Sequence, residues 1–380
     1  MLPRNQKKKV TMKNMSLRKV IVSGGGTGGH IFPAVAIANA LVEKYPTVDI
    51  LFVGAIGRME MEKVPAAGYK IEGLNISGIQ RRLTYKNLAV PFKIISSTLK
   101  AKRILKNFKP DIVVGTGGFA SGPMLRAAAK KGIPTVIQEQ NSFPGLTNKL
   151  LSKRVNKICV AFDGLEKYFP KEKIVLTGNP VRSEVVKLDG KKPRAAEYFN
   201  LEETKKTILI VGGSLGARSI NIAVKNCVQE WNQKNYQVIW QTGKLYFKEA
   251  TDFVNENKLA NIKVFDFISK MDYAYAMADV VISRAGAIAI SELCLVKKPV
   301  ILIPSPNVAE DHQTKNAMAL VNHHAAILVK DVDALTTLGK CMDEIIIDDE
   351  KIEQLKSNIG KLGLTNATNA IVGVLENLVK

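Results

Sequence analysis

The residue best suited to do chemistry in this chain is His30, the last member of the turn Gly24-Gly25-Gly26-Thr27-Gly28-Gly29-His30. The turn lies between the apolar run Lys19-Val20-Ile21-Val22-Ser23 and the helical pattern Ile31-Phe32-Pro33-Ala34-Val35-Ala36-Ile37-Ala38. A strand, a glycine turn and a helix in direct succession form a site for an anion or a sugar. Glycines let backbone amides approach a ligand, and a helix start favours negative charge. An imidazole at that point is matched to proton transfer near neutral pH. The plainer reading is a tight turn whose histidine merely sits at a helix start.

Other junctions have the same character. Gly115-Thr116-Gly117-Gly118-Phe119-Ala120-Ser121-Gly122-Pro123, Gln138-Glu139-Gln140-Asn141 and Gly212-Gly213-Ser214-Leu215-Gly216-Ala217-Arg218 each follow a β-rich run. The stretch from Ser283 to Glu292 opens a helix with small residues that would admit a diphosphate to backbone amides, and Glu292 could accept two hydrogen bonds from a ribose diol. Glu310-Asp311-His312-Gln313-Thr314-Lys315-Asn316 is suited to sugar hydroxyls. Any one of these is explained by turn chemistry; together, behind successive strands, they point to a ligand cleft.

Two common chemistries are disfavoured. Gly24, Gly26 and Gly29 satisfy a dinucleotide fingerprint, but the second strand begins with Asp49 and ends Val53-Gly54-Ala55, leaving no carboxylate for a dinucleotide ribose. A metal-dependent sugar transferase would need a carboxylate pair after a strand. The only Asp-x-Asp, Asp331-Val332-Asp333, reads as a helix cap, so neither a catalytic metal nor a cofactor is expected. Cys159, Cys227, Cys294 and Cys341 are too dispersed for a zinc site and read as buried thiols.

These turns must be held by a scaffold, and its pattern is regular. β-Rich runs are predicted near 19–23, 49–53, 70–74, 111–115, 135–138, 157–161 and 174–177, then near 207–211, 237–241, 262–265, 280–283, 300–303 and 326–328, with helical patterns between them. Such alternation gives an α/β protein of two doubly wound parallel sheets, with ligands at the strands' carboxyl ends. A length of 380 residues suits two domains. The boundary falls in Gly178-Asn179-Pro180-Val181-Arg182. The expected division is a basic arm over 1–19, a first domain over 20–181 and a second over 182–360.

Charge separates the halves. Residues 1–182 carry 31 Lys and Arg against 10 Asp and Glu, whereas residues 183–380 carry 24 of each. A one-sided basic surface suits an anionic membrane face, where each nearby cation adds about 1 kcal/mol of attraction. Nucleic acid is disfavoured as a partner, because 6% aromatics offers little for base stacking and no binding motif is present. Within the basic half, Leu88, Phe92, Ile95 and Leu99 recur at helical spacing between Tyr85 and Phe108, among several lysines. Ile95 and Leu99 read as core-facing. Ile79, Arg81, Arg82, Leu83 and Phe92 read as candidates for shallow contact with a lipid surface.

Ordered motifs across nearly the whole chain carry a resemblance: GGGTGGHIFPA, GRME, ISGI, GTGGFASGP, EQNSFPGLTNK, GNPVR, GGSLGAR, ADVVISRAGA running on to ISE, and DHQTKNA. The chain resembles the N-acetylglucosaminyltransferases of peptidoglycan lipid-intermediate synthesis. That resemblance implies a GT-B fold and a donor, UDP-N-acetylglucosamine, held mainly by the second domain. It implies an undecaprenyl-diphosphate-linked muramyl-pentapeptide acceptor approaching the first domain, at the cytoplasmic face of the bacterial inner membrane. It also implies that residues from about 361 to 380 pack back on the first domain. The donor contacts it implies are Thr27, Gly28, Gly29, Asn141, Arg182, Ser214, Ile268, Ala287, Ile288, Ala289, Ile290, Ser291, Glu292 and Gln313.

For such a reaction the acceptor 4-hydroxyl must lose a proton as it attacks the anomeric carbon opposite UDP. His30 is the first choice of base and Glu139 the second. Backbone amides and Arg182 would take the place of a metal at the departing diphosphate. The competing activity on the same nucleotide sugar is a UDP-N-acetylglucosamine 2-epimerase, which needs neither the basic half nor the amphipathic segment.

Overall fold

The computed structural model describes residues 17–76, 90–181, 183–213 and 215–379. Most of the expected arm, and Ile79, Arg81, Arg82, Leu83, Arg182 and Ser214, lie outside the described residues.

The first lobe runs β1 (Lys19–Gly24), α1 (Gly28–Lys44), β2 (Asp49–Ala55), α2 (Glu60–Ala66), β3 (Lys70–Leu74), α3 (Val90–Phe108), β4 (Ile112–Gly117), α4 (Ser121–Lys130), β5 (Thr135–Glu139), α5 (Leu146–Leu151), β6 (Lys157–Val160) and β7 (Ile174–Leu176). Its strands pair in parallel in the order β3-β2-β1-β4-β5-β6-β7. The second lobe contains α6 (Ser183–Val186), α7 (Lys192–Phe199), β8 (Thr207–Val211), α8 (Arg218–Gln233), β9 (Gln237–Gln241), α9 (Phe247–Glu256), β10 (Ile262–Phe265), α10 (Met271–Met277), β11 (Val280–Ser283), α11 (Ala287–Val296), β12 (Val300–Leu302), α12 (His312–Val321), β13 (Ile327–Leu328), α13 (Ala334–Ile346) and α14 (Asp349–Lys361). It is parallel too, in the order β10-β9-β8-β11-β12-β13. A last helix, α15 (Ala367–Val379), follows.

Alternation along β1 shows why the strands read as continuous apolar runs. Val20 and Val22 enter one core with Ile31, Ile37 and Leu41 of α1, while Ile21 enters the opposite core with Ile104 and Leu105 of α3 and Met124 and Leu125 of α4. Both faces are covered, so both strand faces must be apolar. The second lobe repeats this with Ile208 and Ile210 on one side and Leu209 on the other. In each sheet the strand order reverses between two neighbours, β1 and β4 in the first and β8 and β11 in the second. A crevice opens at the carboxyl ends there, because the connections leave in opposite directions.

Three details depart from the reading of the sequence or refine it. Leu17 is buried, and the amides of Arg18 and Lys19 both donate to Asp111 Oδ2 at 2.8 Å, so the end of the expected arm belongs to the lobe. On α3 the buried face is Ser97, Ala101, Ile104 and Leu105; Ile95 and Leu99 are each 59% exposed, and Phe92 is 75% exposed. The expectation that Ile95 and Leu99 face the core is therefore corrected. Ile104 and Leu105 of that stripe enter the core that Met124 and Leu125 of α4 share. Lastly, α15 packs on α1: Ile371, Val372 and Leu375 share the core of Val20, Ile37 and Leu41, and Tyr45 Oη donates to Glu376 Oε1 at 2.6 Å. The C-terminal segment thus completes the first lobe's core.

Ile371 is fully buried, so Ile371→Ala is expected to destabilise the protein by about 2–5 kcal/mol, read by urea unfolding. A loss within the error of the measurement would mean that α15 does not share that core in solution.

Candidate functional site

At the first crevice, Thr27 is extended (φ −146°, ψ 157°) and begins α1, whose first turn holds no acidic residue. The amides of His30 and Ile31 both turn back to Thr27 O, at 3.1 and 3.2 Å. His30 is consequently the third helical residue, half-buried, with Gly28 and Gly29 ahead of it at the helix start where amides have no intrahelical partner. The neighbouring turn is built around it. The β1–β4 register skips Thr116, and the Thr116 Oγ1 hydroxyl donates to His30 O at 2.8 Å. Gly118 has φ +85°, and a Cβ there would stand 2.3 Å from Gly25 O. A Cβ on Gly117 would stand 2.8 Å from His30 Cε1 and Nδ1. The imidazole lies against backbone, and its Nδ1 is 2.9 Å from Gln140 Oε1.

Glu60 holds the first turn from behind. It is fully buried at the start of α2, and its two oxygens accept from Gly26 N at 2.8 Å and Ala55 N at 2.9 Å. The helix start also favours its carboxylate. A side chain on Gly25 would collide with that carboxylate, its Cβ lying 2.2 Å from Glu60 Oε1. Reasoning from turns overlooked this residue. Its only signal was the motif Gly57-Arg58-Met59-Glu60, a carboxylate in a short polar stretch after a strand.

Glu139, at the end of β5, is 1% exposed. Oε1 accepts from Asn141 N at 3.0 Å and Asn141 Nδ2 at 3.2 Å; Oε2 accepts from Gly145 N at 3.2 Å and Asn148 Nδ2 at 2.8 Å. A carboxylate has about four acceptor positions, and all are filled by the loop it braces and by α5. That argues against a proton acceptor and for a loop brace.

The same loop reaches the second lobe. Ser142 N and Oγ donate to Asn316 Oδ1 at 2.9 and 3.0 Å, and Asn316 Nδ2 donates to Asn141 Oδ1 at 3.1 Å. Close by in sequence to the lobe boundary, Asn179 Nδ2 lies 3.0 Å from Gln140 O and 3.0 Å from Ser291 Oγ. Both asparagines are at most 2% exposed. The sequence offers Asn316 only as part of a cluster suited to sugar hydroxyls and Asn179 only as part of the domain boundary, with no sign of either contact between the lobes.

The second crevice has its own parts. Gly216 has φ +79°, and a Cβ there would stand 2.0 Å from Thr242 O, so the turns after β8 and β9 touch backbone to backbone. α11 follows an extended Gly286, again with no acid in its first turn. Ala287 and Ile290 are buried, Ile288 and Ala289 half-buried, and Ser291 Oγ donates to Ala287 O at 3.0 Å. Tyr275 Oη donates to Glu292 Oε2 at 3.1 Å. The Ile268 amide donates to Gln241 Oε1 at 2.9 Å, and Gln313 Oε1 accepts from Ser305 N at 2.9 Å. Asp331 does not cap a helix through its side chain; it pairs with Arg284 and accepts from Ser219 Oγ, tying β11's end to the helix layer. Thr27, Gly28, Gly29 and His30 therefore gather at one crevice and Ala287 to Glu292 at the other, with Asn141 bridging toward the helix that carries Gln313.

A separate cavity of about 450 Å³ lies between the lobes, lined among others by Phe143, Tyr168, Asn179, Ser291, Lys315 and Leu364. Among the described residues, none of 24–30, 115–119, 212, 213 or 215–217 lines it. It flanks the asparagine contacts on the side of the inter-lobe connections.

Two Rossmann-like lobes, each with glycine turns and helix starts at the carboxyl ends of its strands, define the GT-B architecture. Residues 20–160 match the glycosyltransferase family 28 N-terminal domain and residues 207–371 its C-terminal domain, and the chain belongs to that family. A relative from Flavobacterium psychrophilum is 54% identical over 96% of this chain and 99% of its own length. It is named as the UDP-N-acetylglucosamine–N-acetylmuramyl-(pentapeptide) pyrophosphoryl-undecaprenol N-acetylglucosamine transferase. Among solved structures, MurG of Acinetobacter baumannii superposes with a TM-score of 0.77 at 28% identity, covering 95% of this chain and 99% of that one. A UDP-GlcNAc 2-epimerase from Neisseria meningitidis shares the fold, with a TM-score of 0.65 at 16% identity over 95% of this chain and 100% of that one.

Glu60→Gln keeps the volume but turns an amide nitrogen toward a backbone donor. It is expected to cost about 1–3 kcal/mol of stability in urea unfolding. A wild-type midpoint and slope would show that Gly26 and Ala55 find other acceptors.

Proposed function

We propose that this chain transfers N-acetylglucosamine from UDP-N-acetylglucosamine to the muramyl 4-hydroxyl of undecaprenyl-diphosphate-linked muramyl-pentapeptide, with inversion. The observation that carries this reading is the 54% identity, over nearly both full lengths, to a relative named for that transfer. Kinship with the 2-epimerases extends only to the fold.

In the proposed reaction the acceptor oxygen forms a bond to C1 of the sugar as the bond from C1 to the diphosphate oxygen breaks. The electron pair leaves with UDP, and the hydroxyl proton goes to His30. The half-buried imidazole at the start of α1, lying against Gly117 rather than behind a side chain, supports that role. Amides at the start of α11, with Ala287, Ile288 and Ala289, would stabilise the charge growing on the diphosphate, and Arg182 and Ser214 would join them. Glu292, oriented by Tyr275, would accept the ribose hydroxyls. Asn141, Ile268 and Gln313 would shape the donor pocket. Glu139 would act through the loop it holds.

The acceptor's lipid implies a membrane-facing first lobe. No helix among the described residues is long and apolar enough to cross a membrane. Support for peripheral binding at an anionic surface comes from α3, where exposed Phe92, Ile95 and Leu99 stand with exposed Lys102, Arg103 and Lys106. The proposed location is the cytoplasmic face of the inner membrane.

The test is UDP release from UDP-N-acetylglucosamine, with and without a polyprenyl-diphosphate muramyl-peptide, in a chelator. Acceptor-dependent release is expected; epimerised sugar formed without acceptor would sink the proposal. His30→Ala should lower kcat by about 10²–10⁴-fold while leaving UDP binding near wild type. Wild-type turnover in that variant would remove His30 from the mechanism. Glu292→Ala should weaken donor binding in calorimetry by about 1.5–3 kcal/mol for each hydrogen bond to the charged acceptor that is lost. An unchanged dissociation constant would mean the ribose lies elsewhere.

A further inference from the structure

Gln140 is 1% exposed, and its amide cannot turn over. Nε2 donates to Thr116 O at 2.8 Å and Gln138 O at 3.0 Å, and also faces Gln138 Oε1. All of those partners are oxygens that only accept, so the nitrogen must face them. Oε1 is then the atom that faces His30 Nδ1 at 2.9 Å. An amide oxygen has no proton to give. The contact exists only if Nδ1 carries the proton.

Gln138 is held in turn. Its Nε2 donates to Asn179 Oδ1 at 2.9 Å, which leaves its Oε1 toward Gln140. Asn179 Nδ2 faces Gln140 O, Ser291 Oγ and, at 3.4 Å, Ala287 O. Each amide is thus oriented by the next, from the ring in the first lobe to α11 in the second. Gln138, Gln140 and Asn179 are all at most 2% exposed, so water does not compete for these bonds.

We infer that Gln140 is a positioning residue that selects the Nδ1–H tautomer of His30 and so leaves Nε2 as the lone-pair nitrogen. The inference deepens the proposed base role and rests on it for its catalytic meaning. Nε2 is the nitrogen able to take a proton from a bound hydroxyl. Once it has done so, Nδ1–H still donates to Gln140, so the ring keeps one orientation in both charge states. Histidine free in water prefers the opposite tautomer, which makes the preference a signature of this environment.

The test uses the full chain with ¹⁵N-labelled histidine, of which there are four, with His30 assigned by loss of its signals in His30→Gln. At a pH where the ring is neutral, His30 Nδ1 is expected to resonate as the protonated nitrogen and Nε2 as the unprotonated one. A neutral ring protonated mainly on Nε2 overturns the inference. Gln140→Met removes the acceptor at similar volume; it should move the ring toward the Nε2–H form and lower kcat by about tenfold or more, with KM for UDP-N-acetylglucosamine nearly unchanged. An unchanged tautomer in that variant also overturns it. Should Gln140→Met not fold, the wild-type spectrum alone decides. Full turnover in His30→Ala would remove the base role yet leave the tautomer measurement standing, so the two failures are told apart.

Discussion

Two buried asparagines set the geometry on which the rest of the cleft depends. Asn179 and Asn316 each bond across the lobes, to Ser291 on α11 and to Asn141 and Ser142 behind β5. An amide removed from water and left without partners costs about 1–3 kcal/mol, so these contacts hold only where the lobes meet in this relation. The turn bearing His30 belongs to one lobe and the helix bearing Glu292 to the other. Their relation is fixed by Asn179 and Asn316, to which the proposed reaction assigns no step.

The same economy appears in how the cleft receives negative charge. α1 and α11 both begin after an extended residue and carry no acid in the first turn, so their dipoles and open amides are uncompensated from within. Arg284, a cation near the second crevice, is already committed to Asp331 and to the carbonyls of Ile303 and Pro304. Among the described residues of that crevice, the α11 start keeps open amides where Arg284 is committed, which is why the proposed reaction places the diphosphate there. The surplus cationic charge of the chain lies in its first half, where α3 turns apolar residues outward beside Lys102, Arg103 and Lys106.

Much of the fold was legible because its signals are local. Lys70–Leu74, Thr207–Val211, Gln237–Gln241, Ile262–Phe265 and Val280–Ser283 are strands over the ranges the β-rich runs predict, each bounded by turn residues. The face of α3 was not legible, since Ile95 and Leu99 satisfy helical spacing as well as Ala101 and Leu105 do; which stripe is buried depends on α4, a neighbour that periodicity cannot see. Nor was the Asp331 pairing, which spans 47 residues to Arg284. The amide series from His30 to Ser291 was invisible for the same reason: three of its four links join residues 110, 41 and 112 positions apart, and Gln and Asn carry no motif of their own.

The glycines show where a motif's chemistry and its architecture part. Read along the chain, every glycine near His30 invites a ligand to the backbone. In space, Gly118 is required because the turn after β4 packs on the carbonyl of Gly25, and Gly25 because Glu60 fills the space behind it. Gly26, by contrast, has open space where a Cβ would be. The turn is therefore two-sided: its rear is specified by a carboxylate and a neighbouring backbone, and only its front remains for a substrate. That division lets one short segment be rigid and open at once, which is what the proposed base, held at fixed distance from an acceptor hydroxyl, would demand.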